Sequence, residues 1–130
     1  MRIQKKCEHT EQVALINWAR VNEGKYPELR NLFAIPNGGH RHLSVAKKLK
    51  AEGVRKGVLD IFLAHPVKNI QIIFKGYSGL FIEMKFGKNK LTKEQKEWIE
   101  RLTQAGYKCS VCYSFEEARD EILNYLGECQ

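Results

Sequence analysis

The sequence predicts an α/β fold in which a small mixed β-sheet is flanked by helices. Three observations carry this. Apolar residues recur at helical spacing in separate segments. Between those segments lie short β-branched and aromatic runs bounded by glycine or proline. The segments alternate as helix, strands with a helix between them, helix, strand and helix, an order that layers helices on a sheet.

Residues 10–22 read as a helix, with Val13, Leu15, Ile16, Trp18 and Ala19 forming an apolar face. Gly24 and Pro27 then lead through a loop to a short strand at Leu32-Phe33-Ala34-Ile35. Pro36-Asn37-Gly38-Gly39 is a turn, rich in residues that accept unusual backbone angles. A basic helix runs from Ser44 to Glu52 and stops at Gly53, which suits a C-cap. The run at 57–63, Gly-Val-Leu-Asp-Ile-Phe-Leu, predicts a strand carrying Asp60. His65-Pro66 breaks it, and Ile70-Gln71-Ile72-Ile73-Phe74 predicts a further strand. Gly76 to Gly79 turns the chain into a strand at 79–86 that contains Glu83, Met84 and Lys85. Thr92 opens a long amphipathic helix with Trp98, Ile99 and Leu102 at inward spacing, ending near Gly106. A strand at 108–113 follows. Ser114-Phe115-Glu116-Glu117 then reads as a capping box for a last helix with Ile122, Leu123 and Leu126 inward.

With 130 residues and 43% apolar content, the chain is expected to form a single domain with a real core. No apolar run approaches the ~20 residues that span a bilayer. The N-terminal Met1-Arg2-Ile3-Gln4-Lys5-Lys6 lacks the apolar stretch of a secretory signal, so a cytoplasmic location is expected. The net charge of +7 points toward a polyanionic partner. Basic residues gather between Arg41 and Lys56, and again between Lys85 and Lys96, on either side of the two acidic strand motifs. Single lysines in such runs are often merely solvated, but two clusters beside one pair of strands favour a phosphate-binding surface.

Of the four cysteines, Cys109 and Cys112 have CxxC spacing without a second pair or matching histidines. They lie on a predicted strand, where residues three apart point to opposite faces, so reduced thiols are expected rather than a zinc site. His65, just before Pro66, reads as a strand-end residue rather than a ligand.

Asp60 and Glu83-Met84-Lys85 are the chemically informative residues. An unpaired carboxylate in a buried strand costs several kcal/mol. Two carboxylates and an ammonium on neighbouring strands can satisfy one another, or the carboxylates can hold a divalent metal. Such a metal polarises a phosphoryl oxygen and lowers the pKa of water, which overcomes the charge repulsion that protects a phosphodiester. Magnesium takes oxygen ligands, often one or two carboxylates. Asp60 and Glu83 fit, with the Met84 carbonyl as a third donor. Lys85 falls on the Glu83 face of the strand, placed to orient water or stabilise developing charge.

Asp-(x)n-Glu-x-Lys on two strands, with a helix before and a long helix after, resembles the PD-(D/E)xK nuclease superfamily. More narrowly the chain resembles the VRR-NUC nucleases. The resemblance is carried by Ile35-Pro36-Asn37-Gly38-Gly39, by Gly53-Val54-Arg55-Lys56-Gly57-Val58-Leu59-Asp60, and by Gly79-Leu80-Phe81-Ile82-Glu83-Met84-Lys85. Leu91-Thr92-Lys93-Glu94-Gln95-Lys96-Glu97-Trp98 and the Gly106-Tyr107 strand entry extend it, so that it spans Glu8 to Leu126. Two positions depart from the family pattern. Val54-Arg55-Lys56 stands where a Val-Arg-Arg run is usual, which loses one guanidinium fork. Leu59 stands where proline usually precedes the aspartate. The stretch 65–76 is also longer than typical and has no assigned role.

The resemblance implies a restriction-endonuclease-like core and a deoxyribonuclease using Mg2+ or Mn2+. Asp60, Glu83 and Met84 would be metal ligands and Lys85 catalytic. Gln95 would be the glutamine on the helix behind the site, although Thr92-Lys93-Glu94-Gln95 is also a capping box in its own right. The superfamily's acidic residue on the first helix is Glu8 or Glu11. Glu8 with Gln12 matches the family's Glu-(x)3-Gln pattern and is preferred, while the loser is expected to be a solvated carboxylate near a helix start. Asn37, His40 and Arg41 sit where phosphate contacts are natural, and Arg55, Lys56, Lys88 and Lys90 flank the site as DNA-backbone contacts. Stand-alone members resemble phage-encoded homodimers acting on branched DNA such as four-way junctions. A rival reading is a nucleic-acid-binding module without catalysis.

Overall fold

The computed structural model describes residues 5–36, 42–68 and 76–127. The turn at 37–39 and the strand expected at 70–74 lie outside the described residues. The elements are α1 (Glu8–Val21), a 3-10 turn (Pro27–Asn31), β1 (Leu32–Ala34), α2 (Leu43–Ala51) and β2 (Ile61–Leu63). They continue as β3 (Leu80–Met84), α3 (Lys93–Gln104), β4 (Lys108–Cys112) and α4 (Phe115–Tyr125). The sheet order is β1-β2-β3-β4, antiparallel except for the β3–β4 pair, so the sheet is small and mixed.

The side-chain period of two sorts the strands into faces. Ile61 and Leu63 of β2 lie across from Ile82 and Leu80 of β3. With Met84 and Cys112 they are buried against Leu15 and Ala19 of α1 and Ala118 and Ile122 of α4. The other face carries Phe62, stacked on Phe81 at 4.3 Å, then Glu83 on β3 and Lys85 just past its end. Tyr107 packs edge-on to both rings. Helix α3 lies on this second face, where the Cys109 thiol reaches the Ile99 carbonyl. Cys109 and Cys112 thus serve opposite faces, and both are free thiols.

Several expected boundaries shift, each for a local reason. Helix α1 begins at Glu8 because Thr10 Oγ1 accepts the Cys7 amide at 2.8 Å and donates to the Cys7 carbonyl at 3.0 Å. At the start of α4 only half of the capping box forms. Ser114 Oγ accepts the Glu117 amide, but the Glu117 carboxylate takes the amide of Tyr113 instead of that of Ser114. Helix α2 ends as expected: Gly53, at φ +104°, donates to Lys50 while Val54 donates to Leu49. The strand expected at 57–63 is ladder-paired only over its last three residues, because the chain turns away from β3 at Asp60.

Candidate active site

That turning point makes the site. Continuing the β2–β3 register would set Leu59 opposite Met84. Instead the Met84 amide donates to Asp60 Oδ2 at 2.8 Å, so a side chain takes the place of a backbone acceptor. The Asp60 carbonyl meanwhile accepts from Ile35 at 2.7 Å on the other side. In an extended strand a residue's N–H and C=O project together, so the Met84 carbonyl is directed toward Asp60 as well. Asp60, Glu83 and the Met84 backbone therefore meet where the two strands part.

Glu83 is 2% exposed, and among the described residues no N–H reaches its buried Oε1. Its Oε2 accepts from Gln95 Nε2 at 3.1 Å and lies 3.8 Å from Lys85 Nζ. Burial, and then the charge and hydrogen bonding of Asp60, push its carboxyl up to about 8, against the pull of Lys85; Glu8 adds a further upward push. An orphaned buried oxygen beside a second carboxylate is an unfinished polar arrangement. Among the described residues no three His, Cys, Asp or Glu side chains converge into a closed metal cage. Two carboxylates and a carbonyl are oxygen donors of the kind a magnesium-type ion takes, with water and substrate completing its shell.

Gln95 forms the cap expected of it and also reaches Glu83. Thr92 Oγ1 accepts the Gln95 amide at 3.1 Å, and Gln95 Oε1 accepts the Thr92 amide at 2.9 Å. Because the side-chain oxygen is held by the cap, the side-chain nitrogen faces Glu83.

Glu8 stands in the first turn of α1, half-buried and close enough for its charge to act on Glu83. Glu11, the alternative to Glu8, is not a solvated carboxylate. It is 8% exposed and accepts the Phe115 amide at 3.2 Å, tying α1 to the start of α4. Lys88 and Lys90 are exposed on the turn after β3. Arg55 and Lys56 are exposed in the segment before Asp60, where Lys56 lies 3.6 Å from Glu94. Asn37, His40 and Arg41 lie outside the described residues. His65 is held through its carbonyl by the Tyr125 hydroxyl at 2.6 Å.

Trp98 was expected to face the core. It is half-buried, and its indole N–H donates to the Lys56 carbonyl at 3.0 Å, stitching α3 to the segment before Asp60. The signal was available, since a tryptophan N–H in a packed setting needs an acceptor. Gly57 packs against the same helix. At φ +89° it passes so close to Glu94 that an added Cβ would lie 2.6 Å from the Glu94 Cβ.

The raised Glu83 carboxyl makes a prediction about stability. The folded chain keeps a proton at pH values where the unfolded chain, with the ordinary pKa of 4.5, has lost it. The stabilisation is full below pH 4.5 and is lost as pH rises through about 8. Thermal melting in chelator should fall across this window, and a Glu83→Gln variant should flatten the profile. An equally steep profile in the variant would assign the titration elsewhere.

Strands that part to present two carboxylates and a lysine, backed by a helix that supplies a glutamine, define a restriction-endonuclease-like nuclease core. The VRR-NUC domain model matches residues 2–116, and the chain belongs to that family. A solved structure described as a VRR_NUC domain protein superposes with a TM-score of 0.72 at 27% identity, covering 96% of this chain and 92% of that one. No curated protein matches. Among the described residues no helix is long and apolar enough to cross a membrane.

Proposed function

We propose that this VRR-NUC nuclease is a divalent-metal-dependent DNA endonuclease selective for branched substrates. The observation that carries the reading is the buried Glu83 carboxyl crowded against that of Asp60, its Oε1 reached by no N–H among the described residues, with Lys85 3.8 Å away. Asp60, Glu83 and the Met84 carbonyl would hold Mg2+ or Mn2+. When bound, the ion supplies Lewis acidity against the phosphate charge and lowers the pKa of water.

The remaining steps belong to the chain. Lys85, 7% exposed and 3.8 Å from Glu83, orients the attacking water and offsets charge building on the phosphate. Gln95 fixes the orientation of Glu83, and Glu8 is a further acidic group that can draw cations toward the site. Arg55, Lys56, Lys88 and Lys90 hold the DNA backbone electrostatically, and Asn37, His40 and Arg41 are assigned the same duty. A homodimer would give a two-fold-symmetric junction two cutting sites. The half-exposed Phe33 on edge strand β1 offers a surface for a second copy.

The test is cleavage of linear, flapped and four-way DNA by the parent and by Lys85→Ala, with manganese, magnesium or chelator, alongside the solution mass. Metal-dependent cutting that favours branched DNA and is lost in the variant supports the reading. Binding without cutting would make the protein a DNA-binding module.

A further inference from the structure

Helix α2 packs little of itself into the body. None of its residues is buried, although Leu49 faces inward and is half-covered. Between α2 and α3 lies a cavity of about 900 Å³. That is toward the upper end of the range for ligand sites, roughly 300–1,000 Å³. The larger apolar residues of its lining are Leu49, Val54 and Trp98. Its charged lining is biased, with Lys50, Arg55, Lys56 and Arg101 against Glu94 and Glu97, and Lys56 already offsets Glu94. These basic residues are exposed while the three apolar ones are half-buried, so cations rim an apolar floor.

The floor is pre-organised for a flat ring. Trp98 is pinned by its bond to the Lys56 carbonyl, and the Arg101 guanidinium lies 4.3 Å from the centre of its ring. An indole and a guanidinium held together form a surface on which nucleobases stack. The cavity is also continuous with the catalytic architecture. Glu94 and Trp98 line it, while Gln95, on the same helix, reaches Glu83.

We infer that the α2–α3 cavity is a nucleotide-binding pocket that takes an unpaired base of the DNA, stacked on the Trp98–Arg101 pair with its phosphates on the basic rim. A fully paired duplex cannot fill it without extruding a base, which costs a few kcal/mol. The pocket thus gives a physical basis for preferring DNA with unpaired bases, such as a flap, over blunt duplex. This deepens the nuclease reading and rests on it for the identity of the polymer.

The test uses a Trp18→Phe protein, which leaves Trp98 as the only one of two tryptophans. Its emission is followed in chelator against a single-stranded oligothymidylate and a blunt duplex of equal length. Each probe is also fluorescein-labelled so that binding is measured separately by anisotropy. Saturable quenching by the single strand but not by the bound duplex is expected. Trp98→Leu should weaken single-strand binding by about 10-fold, the cost of one lost stacking contact. Arg101→Glu, at an exposed position that does not threaten folding, should weaken it in the same direction and reduce the quenching.

Single-strand binding that leaves Trp98 emission unchanged would overturn the pocket, as would equal quenching by the duplex or no binding at all. Metal-dependent cleavage, assayed in parallel, reads the nuclease independently. Cutting without quenching removes the pocket alone, and quenching without cutting removes the catalytic reading alone.

Discussion

Glu83→Gln is expected to lower metal-dependent DNA cleavage by ~10³-fold or more, equivalent to several kcal/mol of transition-state stabilisation. Above about pH 8 the same variant, stripped of metal, should be more stable than its parent. Both effects have one cause. The parent buries a carboxylate with one oxygen that no N–H reaches among the described residues and a second carboxylate beside it. Glutamine keeps the size and can still accept from Gln95, but carries no charge to desolvate or repel. It also cannot draw a hard cation as a carboxylate does. Single-turnover cleavage and thermal melting above pH 8 measure the two halves. Parental cutting would remove Glu83 from the ligand set, and a lower melting point would show that its charge is well compensated.

Gly57→Ala is expected to destabilise the protein by about 2–4 kcal/mol, from left-handed backbone strain together with overpacking. At φ +89° a Cβ would meet the Glu94 Cβ at 2.6 Å and its backbone carbon at 2.8 Å. The side chain could be displaced cheaply, but the backbone belongs to the first turn of α3 and cannot move without carrying Gln95. Cleavage should fall with stability. Gly87→Ala is the control: its φ is +63°, nothing lies within 4 Å of the added carbon, and only the strain of about 1 kcal/mol applies. Urea midpoints of the two variants separate these contributions. Equal shifts would show that α3 yields freely at Gly57.

The sequence made much of this readable because its periods are strong. The Glu83 and Lys85 pairing on one face follows from strand alternation, and the helix starts at Thr92 and Ser114 follow from capping chemistry. What escaped depends on contacts between distant segments. The strand at 57–63 looked continuous because its residues suit a strand, yet Asp60 accepts the Met84 amide and ends the ladder. Trp98 fits an inward helical position, but its N–H finds an acceptor 42 residues away, at Lys56. Glu11 carries no local sign that it will hold Phe115, 104 residues along the chain. Periodicity reports which face a residue occupies. It does not report which polar partner arrives there.

The reciprocal cap at the start of α3 has one further consequence. Gln95 cannot release Thr92 without also losing the anchor that aims its nitrogen at Glu83. Fraying of that first turn and misalignment of the carboxylate are therefore a single event. The rate at which the Thr92 amide exchanges its proton with solvent becomes a clock for how often the site comes apart.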